Sequence, residues 1–114
     1  MQPVRKQDDY AVTKHTYVCL IRKEPHTDYW ADIPDIPGCI ARGATAEAAL
    51  ESFDAALCLH IKGLVEDNLT LPPPRTIEQV VASDPGSFVE IYRVEVIDPH
   101  LLLSLRFSKL AKPG

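Results

Sequence analysis

The chain has 114 residues, of which 46% are hydrophobic and 25% charged, and its formal net charge is −4. That length supports one modest core and that composition is globular, which excludes a multidomain or disordered reading. The acidic balance also disfavours binding of a phosphate backbone by the chain as a whole, because such binding rests on clustered Lys and Arg; a basic protein is the better electrostatic partner.

Residues 1–14 are polar, mixed in charge and without periodicity, and are expected to form a frayed tail. Their opening, "MQPVRKQDDYAVTK", lacks the apolar core of a signal peptide, and no apolar run reaches the ~20 residues of a membrane span. Cys19, Cys39 and Cys58 form no C-x-x-C pair and no even framework, so neither disulfide stapling nor a zinc site is indicated. A cytoplasmic protein without membrane association, metal or cofactor is the expectation.

Three strands come first. "HTYVCLIRK" is rich in β-branched and aromatic residues, "DYWADI" alternates, and "CIARG" is short and apolar at its start. The five residues "EPHTD" fit a hairpin loop, and Ile36-Pro37-Gly38-Cys39 fits a type II turn, with Pro fixing φ at the second position and Gly tolerating positive φ at the third. Thr45 then offers a helix N-cap and Glu47 a negative charge in the first turn. Ala46, Ala49, Leu50, Phe53, Leu57, Ile61 and Leu64 fall on one stripe, and Glu47, Glu51, Asp54 and Lys62 on the other side, so this long helix covers the sheet and ends near Gly63 to Asn68. "LPPPRT" is an extended spacer. Thr76 and Gln79 match a capping box for a short helix, "IEQVVAS", and "FVEIYRVEVI" is the last predicted strand. Asp98 and Pro99 supply a cap and first position for a C-terminal helix over "HLLLSLRFSKLAK".

The segment "YWADIPDIPGCIARGATAEAALESFDAAL" resembles the signature of the HicB antitoxin family: an aromatic strand, P-D-x-P-G-C, then G-x-T-x-E-A at the head of the helix. Its motif positions here are Pro34, Asp35, Pro37, Gly38, Cys39, Gly43, Thr45 and Glu47, and "LTLPPPRT" is similar to the proline-bearing segment that follows the helix in that family. The resemblance implies an α+β fold, a partial RNase H-like β-β-β-α-β domain over residues 15–97, and no catalysis. It implies as partner a HicA-type toxin, a small basic mRNA-cleaving protein silenced by direct association, which agrees with an acidic chain. Family members usually continue into a DNA-binding module, whereas one helix over residues 98–114 makes no complete module, so DNA binding by this chain is not expected. The leucine-rich tail, with Leu101, Leu102 and Leu105, is expected to pack on its own sheet or on a second copy, giving a homo-oligomer.

Alternation sends Tyr29, Ala31 and Ile33 to one face of the second strand and Trp30 and Asp32 to the other. If Ile33 faces the helix, Trp30 looks outward, either to a partner or to shielding by the C-terminal helix. Tyr29, Trp30, Asp32 and Asp35 are the candidate partner-binding residues, an aromatic anchor beside a carboxylate being the composition of an interface. Asp32, Asp35, Glu47 and Asp54 are the only carboxylates near the core that could serve a metal-dependent nuclease, the second alternative after an orphan HicB-like binding domain. Glu47 and Asp54 lie on the polar side of the stripe and Asp35 in a turn, which favours structural roles. The four histidines share no metal-ligand spacing, and "GCIARGAT" lacks a phosphate-loop pattern.

Overall fold

The structure, a computed structural model, describes residues 14–83, 86–97 and 103–110. Strands β1 (Lys14–Lys23), β2 (Tyr29–Asp32) and β3 (Ile40–Gly43) form a meander, followed by helix α1 (Ala46–Glu66), helix α2 (Ile77–Ser83), β4 (Glu90–Ile97) and β5 (Ser104–Leu110). The five strands make one antiparallel sheet in the order β3-β2-β1-β4-β5. The chain is thus a mixed α+β fold with a helix on each face of the sheet.

Alternation along β1 sets the two faces. Tyr17, Cys19 and Ile21 pack with Ala31, Ile33, Phe53, Leu57, Ile61, Val94 and Val96 under α1. Val18 and Leu20 point the other way and, with Ile91, are covered by Val80 of α2 and by Phe88 and Leu110. The predicted helical stripe is the buried one: Ala46, Ala49, Phe53, Leu57 and Ile61 are all buried.

Local chemistry sets the helix ends. The Thr45 hydroxyl accepts from the Ala48 N–H at 3.0 Å. At the far end Asn68 adopts φ 57°, Leu69 N–H donates to the Leu64 carbonyl at 2.8 Å and Asn68 N–H to the Val65 carbonyl at 3.0 Å. Those two bonds are a Schellman closure, with Asn in the left-handed position usually held by Gly. Gly63 lies inside the last turn. The capping box at α2 is reciprocal: Gln79 N–H donates to the Thr76 hydroxyl at 3.1 Å, and Thr76 N–H to Gln79 Oε1 at 2.9 Å.

Two glycines of the motif have different physical reasons. Gly38 sits at φ 92°, as the predicted turn requires, and an added Cβ there would meet only His60 Cε1, at an ordinary contact distance of 3.9 Å. Gly43 ends β3 directly against the first turn of α1, where an added Cβ would lie 2.3 Å from Ala49 N and 2.5 Å from Ala48 C. Sheet and helix therefore approach as closely as they do because position 43 has no side chain.

The expected C-terminal helix is corrected. Residues 104–110 form β5, paired with β4 from Ile97↔Ser104 to Ile91↔Leu110. Leu105 and Phe107 project onto the α1 side, and the Phe107 ring meets Phe53 edge-on at 6.5 Å between centroids. A strand satisfies the open edge of β4 and buries the alternating Leu103, Leu105 and Phe107 together, which a helix over the same residues would not do. Leu101 and Leu102, expected with Leu105 at an oligomer contact, lie outside the described residues, as do residues 1–13 of the expected tail; Lys14 already belongs to β1.

Candidate functional site

β2 and β3 extend beyond the shelter of α2, and their outer face is the candidate site. Across the strands Trp30 pairs with Arg22 on β1 and with Arg42 on β3, so an indole lies between two guanidinium-bearing residues in one row. One step along, Asp32 pairs with Leu20 and Ile40. Arg22 donates to both oxygens of Asp32, from Nε at 2.8 Å and from Nη2 at 3.2 Å. This bidentate, partly buried pair neutralises Asp32 within the protein and links β1 to β2 beside Trp30.

Ile40 is 58% exposed. It is the shared wall of two open concavities. One, of about 400 Å³, lies between Trp30, Arg42 and the β1–β2 loop at Glu24, Thr27 and Asp28. The other, of about 440 Å³, lies against Pro34, Ile36, Pro37 and the Arg22–Asp32 pair. An apolar ridge between two hollows, with Trp and Arg beside it, has the composition enriched at the centres of protein interfaces.

Of the predicted contact residues, Trp30 and Asp32 share this face. Tyr29 does not: it packs toward the α1 side, with Lys23 Nζ 5.6 Å from its ring centroid. Asp35 is also elsewhere. Its side chain is only 7% exposed, and it accepts from Arg75 N–H at 2.7 Å and Arg75 Nε at 2.6 Å, tying the β2–β3 loop to the proline spacer. Arg75 further donates to Ser83 Oγ at 2.7 Å, and the buried Tyr17 hydroxyl donates to the Pro72 carbonyl. Asp35 is thus a structural staple. Arg22, Ile40 and Arg42 were not singled out from the sequence, although the same alternation that exposed Trp30 places them beside it once the strands are paired.

The remaining motif residues have structural places. Pro34 and Pro37 shape the loop walls, Cys39 is buried in the α1 core, and Glu47 is exposed on the first turn of α1. Burial pushes the Cys39 thiol above its ordinary pKa, and burial with Asp32 nearby does the same to Cys19, so neither is poised as a nucleophile. Among the described residues no three His, Cys, Asp or Glu side chains converge as metal ligands. Asp32 lies on the face opposite α1, whereas Glu47 and Asp54 are exposed on that helix and Asp35 is held by Arg75. The carboxylates a nuclease would need are dispersed. No described helix is long and apolar enough to cross a membrane.

Comparison with known proteins agrees with this architecture. The Burkholderia pseudomallei antitoxin HicB has a similar fold, at a TM-score of 0.54 and 20% identity, over 87% of this chain and 70% of that one. The N-terminal domain of the same antitoxin aligns at 0.53 and 19% identity, over 85% of this chain and 99% of that domain. In sequence, a 14.9 kDa protein from the rep-hol intergenic region of Haemophilus phage HP1 is 38% identical over 64 residues, 56% of this chain and 47% of the relative. A Synechocystis protein, ssr1765, is 31% identical over 51% of this chain and 73% of its own length. The chain thus matches about half the length of the phage relative. The profile of HicB_like antitoxins of bacterial toxin-antitoxin systems spans residues 17–105, from within β1 through both helices to the first two residues of β5, and the chain belongs to that family.

Proposed function

We propose that this chain neutralises a small basic HicA-type toxin by direct association, binding it on the outer face of β2 and β3 and performing no chemistry itself. The observation that carries the proposal is the Arg42–Trp30–Arg22 row, half-buried at Trp30 and Arg22 and exposed at Arg42, with Ile40 standing exposed beside it. Trp30 would enter the partner as the anchor, Ile40 would be covered by it, and the Arg22–Asp32 pair would present a fixed polar rim. Glu24 and Asp28 at the margin of the nearer hollow, with the chain's overall net charge of −4, suit a cationic partner. A partial RNase H-like β-β-β-α-β domain without catalysis fits the same reading, since the carboxylates a nuclease of that type would need are scattered.

Co-expression with a small basic protein encoded next to this chain tests the proposal. The expected result is a co-purifying complex and loss of the partner's toxicity, with Trp30→Ala weakening binding by about thirtyfold or more, as truncation of an anchor of about 2 kcal/mol does. A stable complex indifferent to Trp30→Ala and Ile40→Asp would move the interface elsewhere, and failure to co-purify with toxicity unchanged would refute the antitoxin role.

A further inference from the structure

On the same side of the sheet as Trp30, but beyond α2, a second hollow of about 200 Å³ lies between β1, β4 and the start of α2. Thr16, Tyr17, Arg75, Thr76 and Arg93 are the polar residues of its lining, and no carboxylate is among the described residues that line it. The two arginines differ in a useful way. Arg75 is pinned, its Nε on Asp35 and its Nη1 on Ser83, so its orientation is fixed before any ligand arrives. Arg93 is exposed and makes no ion pair among the described residues. Two carboxylates adjoin the hollow and both are already committed: Asp35 to Arg75, and Glu95, which pairs across the strands with Thr16, to Lys14 at 3.3 Å and Arg106 at 4.0 Å. In a chain with a net charge of −4, this is a local excess of cationic donors around a concavity.

We infer that this hollow is an oxyanion site for a phosphate group, held by the guanidinium of Arg93, the free edge of Arg75 and the hydroxyl of Thr16. Planar guanidinium forks match phosphate oxygens in pairs, and a fork fixed by other bonds loses less freedom on binding. Phosphate can reach the site as a free or small-molecule anion or as a unit of a nucleic-acid backbone, and the shared chemistry is the same.

Backbone amide NMR at constant ionic strength tests this, with inorganic phosphate titrated against a chloride control and, in parallel, a ten-nucleotide single-stranded oligouridylate. Saturable shifts at Thr16, Ile77 and Arg93, weakened about tenfold or more by Arg93→Gln, are expected. Shifts with phosphate alone assign the site to a small anion, whereas tighter, steeply salt-dependent binding of the oligonucleotide at the same residues assigns it to a nucleic-acid backbone. Equal shifts with chloride, no saturation with either probe, or an Arg93→Gln protein that binds unchanged would overturn the inference. Arg93 is exposed, so its substitution should leave the fold intact. Trp30→Ala should leave the phosphate response intact, which separates this site from the docking face.

Discussion

Removing the Asp35 carboxylate should loosen the proline spacer and lower stability without touching the hydrophobic core. The carboxylate is 7% exposed and accepts two hydrogen bonds from one residue, the Arg75 main-chain N–H at 2.7 Å and its Nε at 2.6 Å. Hydrogen bonds to charged groups contribute about 1.5–3 kcal/mol when buried. Here the Arg75 side chain is 39% exposed, so water recovers part of the loss when the partner is removed. Asp35→Ala should therefore cost about 2 kcal/mol, and Asp35→Asn, which keeps one acceptor but not the charge, about half of that. For a domain of this size the first figure is a fall of about 8 °C in Tm.

Urea unfolding followed by fluorescence of the single tryptophan, Trp30, measures the change. The midpoint should drop while the slope with denaturant stays constant, since the surface exposed on unfolding is unaltered. A double-mutant cycle with Arg75→Ala should give a coupling of about 1–2 kcal/mol. Additivity, or an Asp35→Ala change under about 0.5 kcal/mol, would refute the staple. Partner binding should also weaken in Asp35→Ala, because the stapled loop carries Pro34, Ile36 and Pro37, which wall one of the two hollows beside Ile40.

Gly43→Ala should cost more than about 3 kcal/mol or abolish folding, because its Cβ would meet main-chain atoms of α1, whereas Gly38→Ala, strained only by φ 92°, should cost about 1–2 kcal/mol; thermal unfolding of both separates contact from conformation. Burial, with Asp35 nearby, pushes Tyr17 up to about 12, and burial with the Glu90 hydrogen bond pushes Tyr92 up to about 12. Both folded-state values exceed the unfolded value near 10, so the folded chain binds these protons more tightly: the stability is full below pH 10 and is lost as pH rises towards 12. Tyr17→Phe should flatten that alkaline fall in urea titrations, leaving the share due to Tyr92. Thiol labelling should reach the half-buried Cys58 first and Cys19 last, at the rate of global opening; equal labelling of all three in the native state would contradict the packed core. Phe107→Ala should destabilise by about 2–3 kcal/mol, as loss of a partly buried aromatic packed on Phe53 requires, and a neutral result would argue against β5.

The elements whose identity rests on local chemistry could be read along the chain, and those that depend on a distant partner could not. Thr45, the Thr76–Gln79 box and the Pro37–Gly38 turn each act within four residues of themselves, and each is where its residue type demands. The tail is the contrast. Asp98-Pro99 followed by leucines carries a helix-start signal, yet Leu103, Leu105 and Phe107 also alternate, and short apolar runs satisfy both periods. What decides between them is the unpaired edge of β4, which comes just before the tail in the chain but is held in place by the distant β1, to which β4 is bonded from Ile97↔Lys14 to Glu90↔Ile21.

The same division runs through the candidate site. That Trp30 faces away from α1 followed from alternation with Ala31 and Ile33, both buried in the helix-side core. That Asp35 serves the interior required knowing that the chain returns 40 residues later with Arg75. Asp35 looked like a surface turn residue because Asp favours turns for local reasons, but its charge is answered by a spacer that must cross the sheet to carry α2 to the opposite face. The three prolines hold that crossing extended, Tyr17 and Asp35 fasten it at two points, and α2 then seals Val18, Leu20 and Ile91. Because α2 stops short of the Arg42–Trp30–Arg22 row, the strip it leaves partly exposed is a consequence of the spacer's anchorage: the residues that hold the fold together also fix how much of the sheet is open to the partner proposed above.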